Sequence, residues 1–201
     1  MIKALIFDIG GVVTFINFNE LYANYGKRIG ADPEKTAAFY KDRENFDRLL
    51  RGEVSYFELF IEKVGIEGPN VAELKRVWLE EALKIATANE ELLKKIGEWR
   101  GKYKLIVLSN LTESRNMLDK KLGTYNHFDK VFLSFEEHLM KPDARFYQLA
   151  LDYAQTKPGE TVFIDDNAGY VQGAQQLGIH GILFKNNEQL FKELTKLGVT
   201  T

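Results

Sequence analysis

Four short apolar runs in the second half of the chain set the strongest constraint on its fold: "YKLIVLSN" (103–110), "KVFLS" (130–134), "TVFIDD" (161–166) and "HGILF" (180–184). Each is rich in Val, Ile, Leu and Phe, and they alternate with segments of helical periodicity near 111–122, 143–155, 168–178 and 187–197. Strand, helix, strand, helix implies parallel strands joined by right-handed crossovers, hence a doubly wound, Rossmann-like α/β sheet. The N-terminal run "KALIFDIGGVVTF" (3–15) supplies one more strand, which ends in an acid, Asp8, and a pair of glycines.

Between that first strand and residue 100 the character differs. In "NELYANYGKRIG", Leu21, Tyr22 and Tyr25 recur at helical spacing, and Phe57, Phe60, Ile61 and Val64 do so in "SYFELFIEKVG". Asp32 followed by Pro33 is a favoured helix entry, and Ser55 with Glu58 fits a capping box. The simplest organisation is an α/β core of residues 1–15 and 101–201. Residues 16–100 then form a helical cap insertion with its connecting segments, over the sheet's edge.

The composition removes several classes of function. Twenty-seven basic and 29 acidic residues leave a net charge of −2, so no overall basic field points to nucleic acid or to an anionic membrane. The absence of cysteine excludes disulfides, zinc thiolate sites and cysteine nucleophiles. No uninterrupted run approaches the ~18 apolar residues of a membrane span. Lys3 before an apolar stretch resembles a signal peptide, but Asp8 interrupts the stretch and no small-residue cleavage site follows, so the expectation is a cytoplasmic protein. No P-loop, dinucleotide glycine fingerprint or "GxSxG" elbow is present.

In an open parallel sheet, ligands bind beyond the carboxyl ends of the strands. The polar residues there are Asp8, then Ser109 and Asn110, then Asp165 and Asp166, with Lys141 shortly after "VFLS" in "HLMKPDARFY". Carboxylates in such a crevice can hold Mg²⁺, a hard cation commonly shared with substrate phosphate. A lysine and a hydroxyl can bind phosphoryl oxygens as they gain charge, and one carboxylate remains to attack phosphorus. Each residue also has a plainer role open to it: Asp8 as a turn former, Asp165 and Asp166 as caps of the helix near Asn167, Lys141 as a solvated loop residue, Ser109 and Asn110 as a helix cap.

The stretches "FDIGGVV", "LSN", "MKPDARFY" and "FIDDNAGYVQGAQQLGI" resemble, in order and spacing, the four motifs of the haloacid dehalogenase superfamily. The helical insert resembles that superfamily's first cap class. Within it, "IDD", "FDIGGV" and "RGEVSYFELF" are most similar to small sugar phosphatases typified by α-glucose-1-phosphate phosphatases, with the phosphatase domain of soluble epoxide hydrolases a related comparison. The resemblance implies a Mg²⁺-dependent phosphomonoester hydrolase acting through an aspartyl-phosphate on a small phosphorylated metabolite, with a sugar phosphate the expected substrate. It implies Asp8 as nucleophile and metal ligand, and the Gly10 backbone carbonyl as a second ligand. Ser109, Asn110 and Lys141 would then be phosphate binders, Asp166 a direct metal ligand and Asp165 its supporting acid.

Gly10 departs from that pattern, because phosphatases of the superfamily carry there a second aspartate that protonates the leaving group. Its loss removes a general acid–base contribution of ~10²–10⁴ in rate. Either the leaving group needs little protonation, or water or a cap side chain among Asn17, Asn19, Glu20 and Tyr22 supplies the proton, or the chain is a catalytically weak binding protein. A metal-independent 2-haloacid dehalogenase is the remaining alternative; relatives with that activity also lack the second aspartate, but usually place tyrosine there. Gly169 and Tyr170 replace residues that often support the metal from behind. His127, His138 and His180 show no metal-ligand spacing, and Trp78 and Trp99 read as packing residues. Phe15, Phe18, Tyr22, Phe39, Tyr40 and Phe46 are candidates for lining a pocket, though most should build the cap's own core.

Overall fold

The computed structural model describes residues 1–200. Strand β1 (Ala4–Phe7) runs through a turn into the two-residue β2 (Thr14–Phe15). Five helices follow: α1 (Phe18–Arg28), α2 (Pro33–Lys41), α3 (Arg43–Leu50), α4 (Tyr56–Val64) and α5 (Val71–Ile85). The chain returns through β3 (Thr87–Ala88) and α6 (Glu90–Trp99). It then alternates as β4 (Lys104–Ser109), α7 (Glu113–Leu122), β5 (Lys130–Leu133), α8 (Ser134–Glu137), α9 (Ala144–Ala154), β6 (Thr161–Asp165), α10 (Ala168–Gln176), β7 (His180–Leu183) and α11 (Asn187–Lys196).

Five strands form one parallel sheet in the order β5-β4-β1-β6-β7. From β1 the chain winds outward through β4 and β5, then crosses to β6 and β7 on the other side, so the topology reverses at β1. The carboxyl end of β1 is therefore the switch point where a crevice opens, and Asp8 follows it directly. Side chains alternate between the two faces with period two. Leu5, Phe7, Leu105, Val107, Val162 and Ile164 share one apolar cluster with Leu92, Ile96 and Trp99 of α6 and Leu190 and Leu194 of α11. Ala4, Ile6, Ile106, Leu108 and Phe163 face Phe146, Tyr147 and Ala150 of α9 and Ala174 of α10. Both faces are covered, which is why these strands read as continuous apolar runs.

The inserted helices α1 to α5 have a core of their own, built on Leu21, Tyr25, Phe39, Phe57, Phe60 and Trp78. Leu118 of α7 joins that cluster, so the insert rests on α7 and covers the carboxyl ends of the strands. Its two connections meet in the short antiparallel pair β2–β3, Thr14 opposite Ala88 and Phe15 opposite Thr87. Helix α6, within the 16–100 segment, packs on the sheet rather than among the cap helices.

Local signals behave unevenly. Asp32 caps α2 as its sequence predicts, accepting from the amides of Glu34 and Lys35 at 2.9 and 3.0 Å with Pro33 in the first turn. Ser55 precedes α4, but the expected capping box does not form. Its hydroxyl donates instead to Glu113 of α7 at 3.1 Å, where Lys75 of α5 also pairs at 2.6 Å. The hydroxyl is turned toward the Glu113 carboxylate instead of accepting from the first turn of α4, and Ser55 ties the insert to α7.

Candidate active site

Asp8 is 7% exposed, at the end of the sheet's central strand. A carboxylate so placed needs donors to offset its lost hydration. Two meet Oδ1: the Ser109 hydroxyl at 2.7 Å, from the end of the neighbouring β4, and the Lys141 ammonium at 2.7 Å. No other residue donates to Oδ2 among the described residues.

Lys141, 1% exposed, lies between two acids. It donates also to Asp165 Oδ2 at 2.6 Å, and its ammonium sits 5.4 Å from the Phe163 ring centroid and 5.1 Å from that of Tyr170. Burial alone would lower its pKa, but the charges of Asp8 and Asp165 and their hydrogen bonds outweigh burial and hold the ammonium above its ordinary value. The loop carrying it is fixed by Asn110, whose Oδ1 accepts from the Lys141 amide at 2.8 Å while its Nδ2 donates to the Lys141 carbonyl at 3.0 Å. Asn110 also lines the cavity, and these two bonds give its side chain a role in positioning the lysine besides the phosphate contact expected of it.

The two adjacent acids differ. Asp165, 1% exposed, uses Oδ2 for Lys141 and Oδ1 for the Asn167 amide at 2.8 Å. Burial pushes its carboxyl up to about 6, with Lys141 opposing and Asp8 adding to the rise. Asp166 is exposed, and no other residue donates to its carboxylate among those described. Burial of part of the group and the charge of Asp8 raise its pKa. Gly11 makes room for it. At φ +74° and with an added Cβ falling 2.1 Å from Asp166 Oδ2, only glycine fits that position.

Asp8, Asp165 and Asp166 each present a carboxylate oxygen within 4.8 Å of one another. Three carboxylates make an all-oxygen donor set, which suits a hard divalent cation, and Gly10 lines the same cavity. Gly10 leaves free space where the missing aspartate would stand: among the described residues, and apart from its two chain neighbours, an added Cβ comes within 4 Å only of Asp8 Oδ2, at 3.9 Å.

These residues open into a cavity of about 270 Å³. Its floor is Asp8, Gly10, Ser109, Lys141, Asp165 and Asp166, and its roof is the cap, through Phe18, Tyr22, Phe46, Leu50, Tyr56 and Trp78. Of the aromatic candidates, Phe18, Tyr22 and Phe46 line it, while Phe39 and Tyr40 pack in the cap's core and Phe15 does not reach it. Trp78 also lines it, and Trp99 packs against Phe7 in the core at 6.3 Å between ring centroids. None of Asn17, Asn19 and Glu20 does; of those four proton-donor candidates only Tyr22 is present, and burial raises its pKa above the ordinary phenol range.

One lining residue carries no advance signal. Arg115 of α7 is 5% exposed, donates through Nε to Asp119 at 2.9 Å, and reaches the Thr14 carbonyl and hydroxyl. The Thr14 hydroxyl donates in turn to Asp119 at 2.9 Å, closing a buried network at the cap's first connection. Burial raises the Asp119 pKa against the opposing Arg115 charge.

Fold and site together define a doubly wound α/β protein with a helical insert and a cluster of acids on the carboxyl ends of neighbouring parallel strands. Residues 2–178 match the family model of the haloacid dehalogenase-like hydrolases, and the chain belongs to that family. It is 25% identical over 207 residues to the D-ribitol-5-phosphate phosphatase of Bacteroides thetaiotaomicron, covering 97% of this chain and 98% of that protein. It is 26% identical over 202 residues to the drimenol cyclase drtB of Aspergillus calidoustus, covering 98% of this chain but only 37% of that longer protein. Among solved structures, a haloacid dehalogenase family enzyme of Bacteroides thetaiotaomicron in complex with magnesium and inorganic phosphate superposes with a TM-score of 0.75 at 23% identity, over 95% of this chain and all of that one. No helix among the described residues is long and apolar enough to cross a membrane.

Proposed function

We propose that this hydrolase is a Mg²⁺-dependent phosphomonoesterase that works through an aspartyl-phosphate on Asp8 and acts on a small phosphorylated metabolite. The observation that carries the reading is the arrangement around Asp8: Oδ1 is held by Ser109 and Lys141, leaving Oδ2 without a hydrogen bond at the floor of a cavity. A carboxylate fixed through one oxygen is oriented to attack through the other.

In this reading Asp8, the Gly10 carbonyl and Asp166 hold the metal, and Asp165 supports the site by orienting Lys141. Bound Mg²⁺ supplies charge neutralisation for the phosphoryl oxygens. Ser109 and Lys141 stand beside the nucleophile, where they can donate to the remaining phosphoryl oxygens as charge develops. Attack by Asp8 breaks the phosphorus–oxygen bond to the alcohol, and water then hydrolyses the acyl phosphate. With Gly10 in place of an acid, the alcohol leaves as an anion or takes its proton from water. The names of the relatives, one a phosphatase and one a cyclase, leave the body of the substrate open.

Phosphate release from glucose 1-phosphate and a wider panel of monoesters, with Mg²⁺ and with chelator, tests the reading. Turnover should need the metal and should fall by at least about 10³-fold in Asp8→Asn. Turnover of a 2-haloacid in excess chelator, or an Asp8→Asn variant as active as the wild type, defeats it.

A further inference from the structure

We propose that the cap selects monoesters with an apolar, ring-sized body in preference to the polyhydroxy body of a sugar phosphate. The inference rests on the phosphomonoesterase reading and concerns the half of the cavity that the chemistry does not use.

Every cap residue that lines the cavity among those described is aromatic or aliphatic: Phe18, Tyr22, Phe46, Leu50, Tyr56 and Trp78. They carry only three polar side-chain atoms among them, on Tyr22, Tyr56 and Trp78. The Tyr56 hydroxyl is hydrogen-bonded to that of Tyr40 at 2.5 Å, and the Trp78 indole nitrogen is buried without a hydrogen-bond partner. The Tyr22 ring lies flat on Tyr40, with centroids 3.3 Å apart. The polar side chains that α7 and its cap bring to the cavity are bonded among themselves: Thr112 to Ser114 at 2.9 Å, and Arg115 to Asp119 and Thr14.

A sugar enclosed against this surface would leave most of its hydroxyls without partners, each costing roughly 5- to 150-fold in affinity. An apolar ring gains where the sugar loses. At about 270 Å³ the cavity falls just under the range that holds drug-sized ligands, so it takes a phosphoryl group with a single ring rather than a long chain. Phe18 is the accessible part of this surface. It is 40% exposed, tilts against Tyr22 at 5.5 Å and has the Arg115 guanidinium 5.8 Å from its ring.

The test compares cyclohexylmethyl phosphate with glucose 6-phosphate, which share a primary-alcohol leaving group on a six-membered ring and differ in the polarity of the ring. With Mg²⁺, kcat/KM should be at least about tenfold higher for cyclohexylmethyl phosphate. Phe18→Gln, a change at a half-exposed position, should shrink that ratio by about threefold or more, through a raised KM for the apolar ester alone. Equal or better turnover of glucose 6-phosphate, or a ratio that Phe18→Gln leaves untouched, overturns the inference and leaves the phosphomonoesterase reading standing. Turnover of 4-nitrophenyl phosphate alone has the same effect. Release of phosphate from none of the three removes both.

Discussion

Lys141 donates to Asp165 across 2.6 Å, with each side chain only 1% exposed, and the same ammonium donates to Asp8. One lysine thus compensates two buried carboxylates on neighbouring strands. Removing one partner of a buried ion pair leaves an uncompensated charge and costs about 3–5 kcal/mol. Lys141→Met should lower the metal-free stability by that amount in urea denaturation, and added Mg²⁺ should return part of the loss. A cost below about 1 kcal/mol would mean that Asp8 and Asp165 do not depend on Lys141 as their geometry indicates.

Gly10 has room for a side chain. An added Cβ meets only Asp8 Oδ2, at 3.9 Å, and the residue does not hold the left-handed backbone that Gly11 does. Gly10→Asp therefore places a carboxyl where a leaving group can use it, and the negative charge of Asp8 favours its protonated form. The variant should raise kcat on primary-alkyl phosphates, which need a proton to leave, by about tenfold or more, within the ~10²–10⁴ that general acid catalysis contributes. 4-Nitrophenyl phosphate, whose leaving group needs none, should gain less than about threefold. Parallel gains on both substrates would show that the new carboxyl is not acting as an acid.

Asn110 touches neither Asp8 nor Asp165, yet it fixes the backbone that aims Lys141 at both. Asn110→Ala should lower kcat by about 10- to 100-fold with KM nearly unchanged, since mispositioning weakens the transition state more than the ground state. Asn110→Asp, which keeps the acceptor for the Lys141 amide, should recover part of the activity. A rise in KM without loss of kcat would mean that Asn110 acts by binding phosphate and not by positioning Lys141.

Legibility in the sequence followed the physics of each element. The strands and the acids at their ends were readable because burial on both faces makes a short apolar run, and a polar residue that ends such a run stands out. Arg115 was not. The stretch "ESRNMLDKKL" of α7 is polar nearly throughout and reads as a surface helix, yet Arg115, Asn116 and Asp119 are buried, with Arg115 and Asp119 bonded to Thr14 from the far end of the sequence. Ser55 misled for a related reason: its hydroxyl donates to Glu113, 58 residues away in sequence, and does not cap α4. The cap's aromatic residues were visible at helical spacing, but periodicity gives a face without its neighbour. It could not separate Phe18 and Phe46, which line the cavity, from Phe39, which is 5% exposed in the cap's core.

Protons and metal should compete for the carboxylates around Asp8. The Asp165 carboxyl is pushed up to about 6, chiefly by burial, whereas an unfolded aspartate titrates near ~3.9. A folded-state pKa above the unfolded value gives stability that is fully present below the unfolded pKa and is lost as pH rises through the folded one. The metal-free protein should therefore lose stability between about pH 4 and pH 6, as Asp165 ionises in place; Asp166, also raised, adds to the loss. Mg²⁺ offsets the same negative charge and binds the ionised site best, so it stabilises the fold by mass action more at high pH than at low. The gap in Tm between samples with excess Mg²⁺ and with chelator should widen as the pH is raised from 5 to 7. A gap that is constant or narrows over that range would place the metal away from these acids.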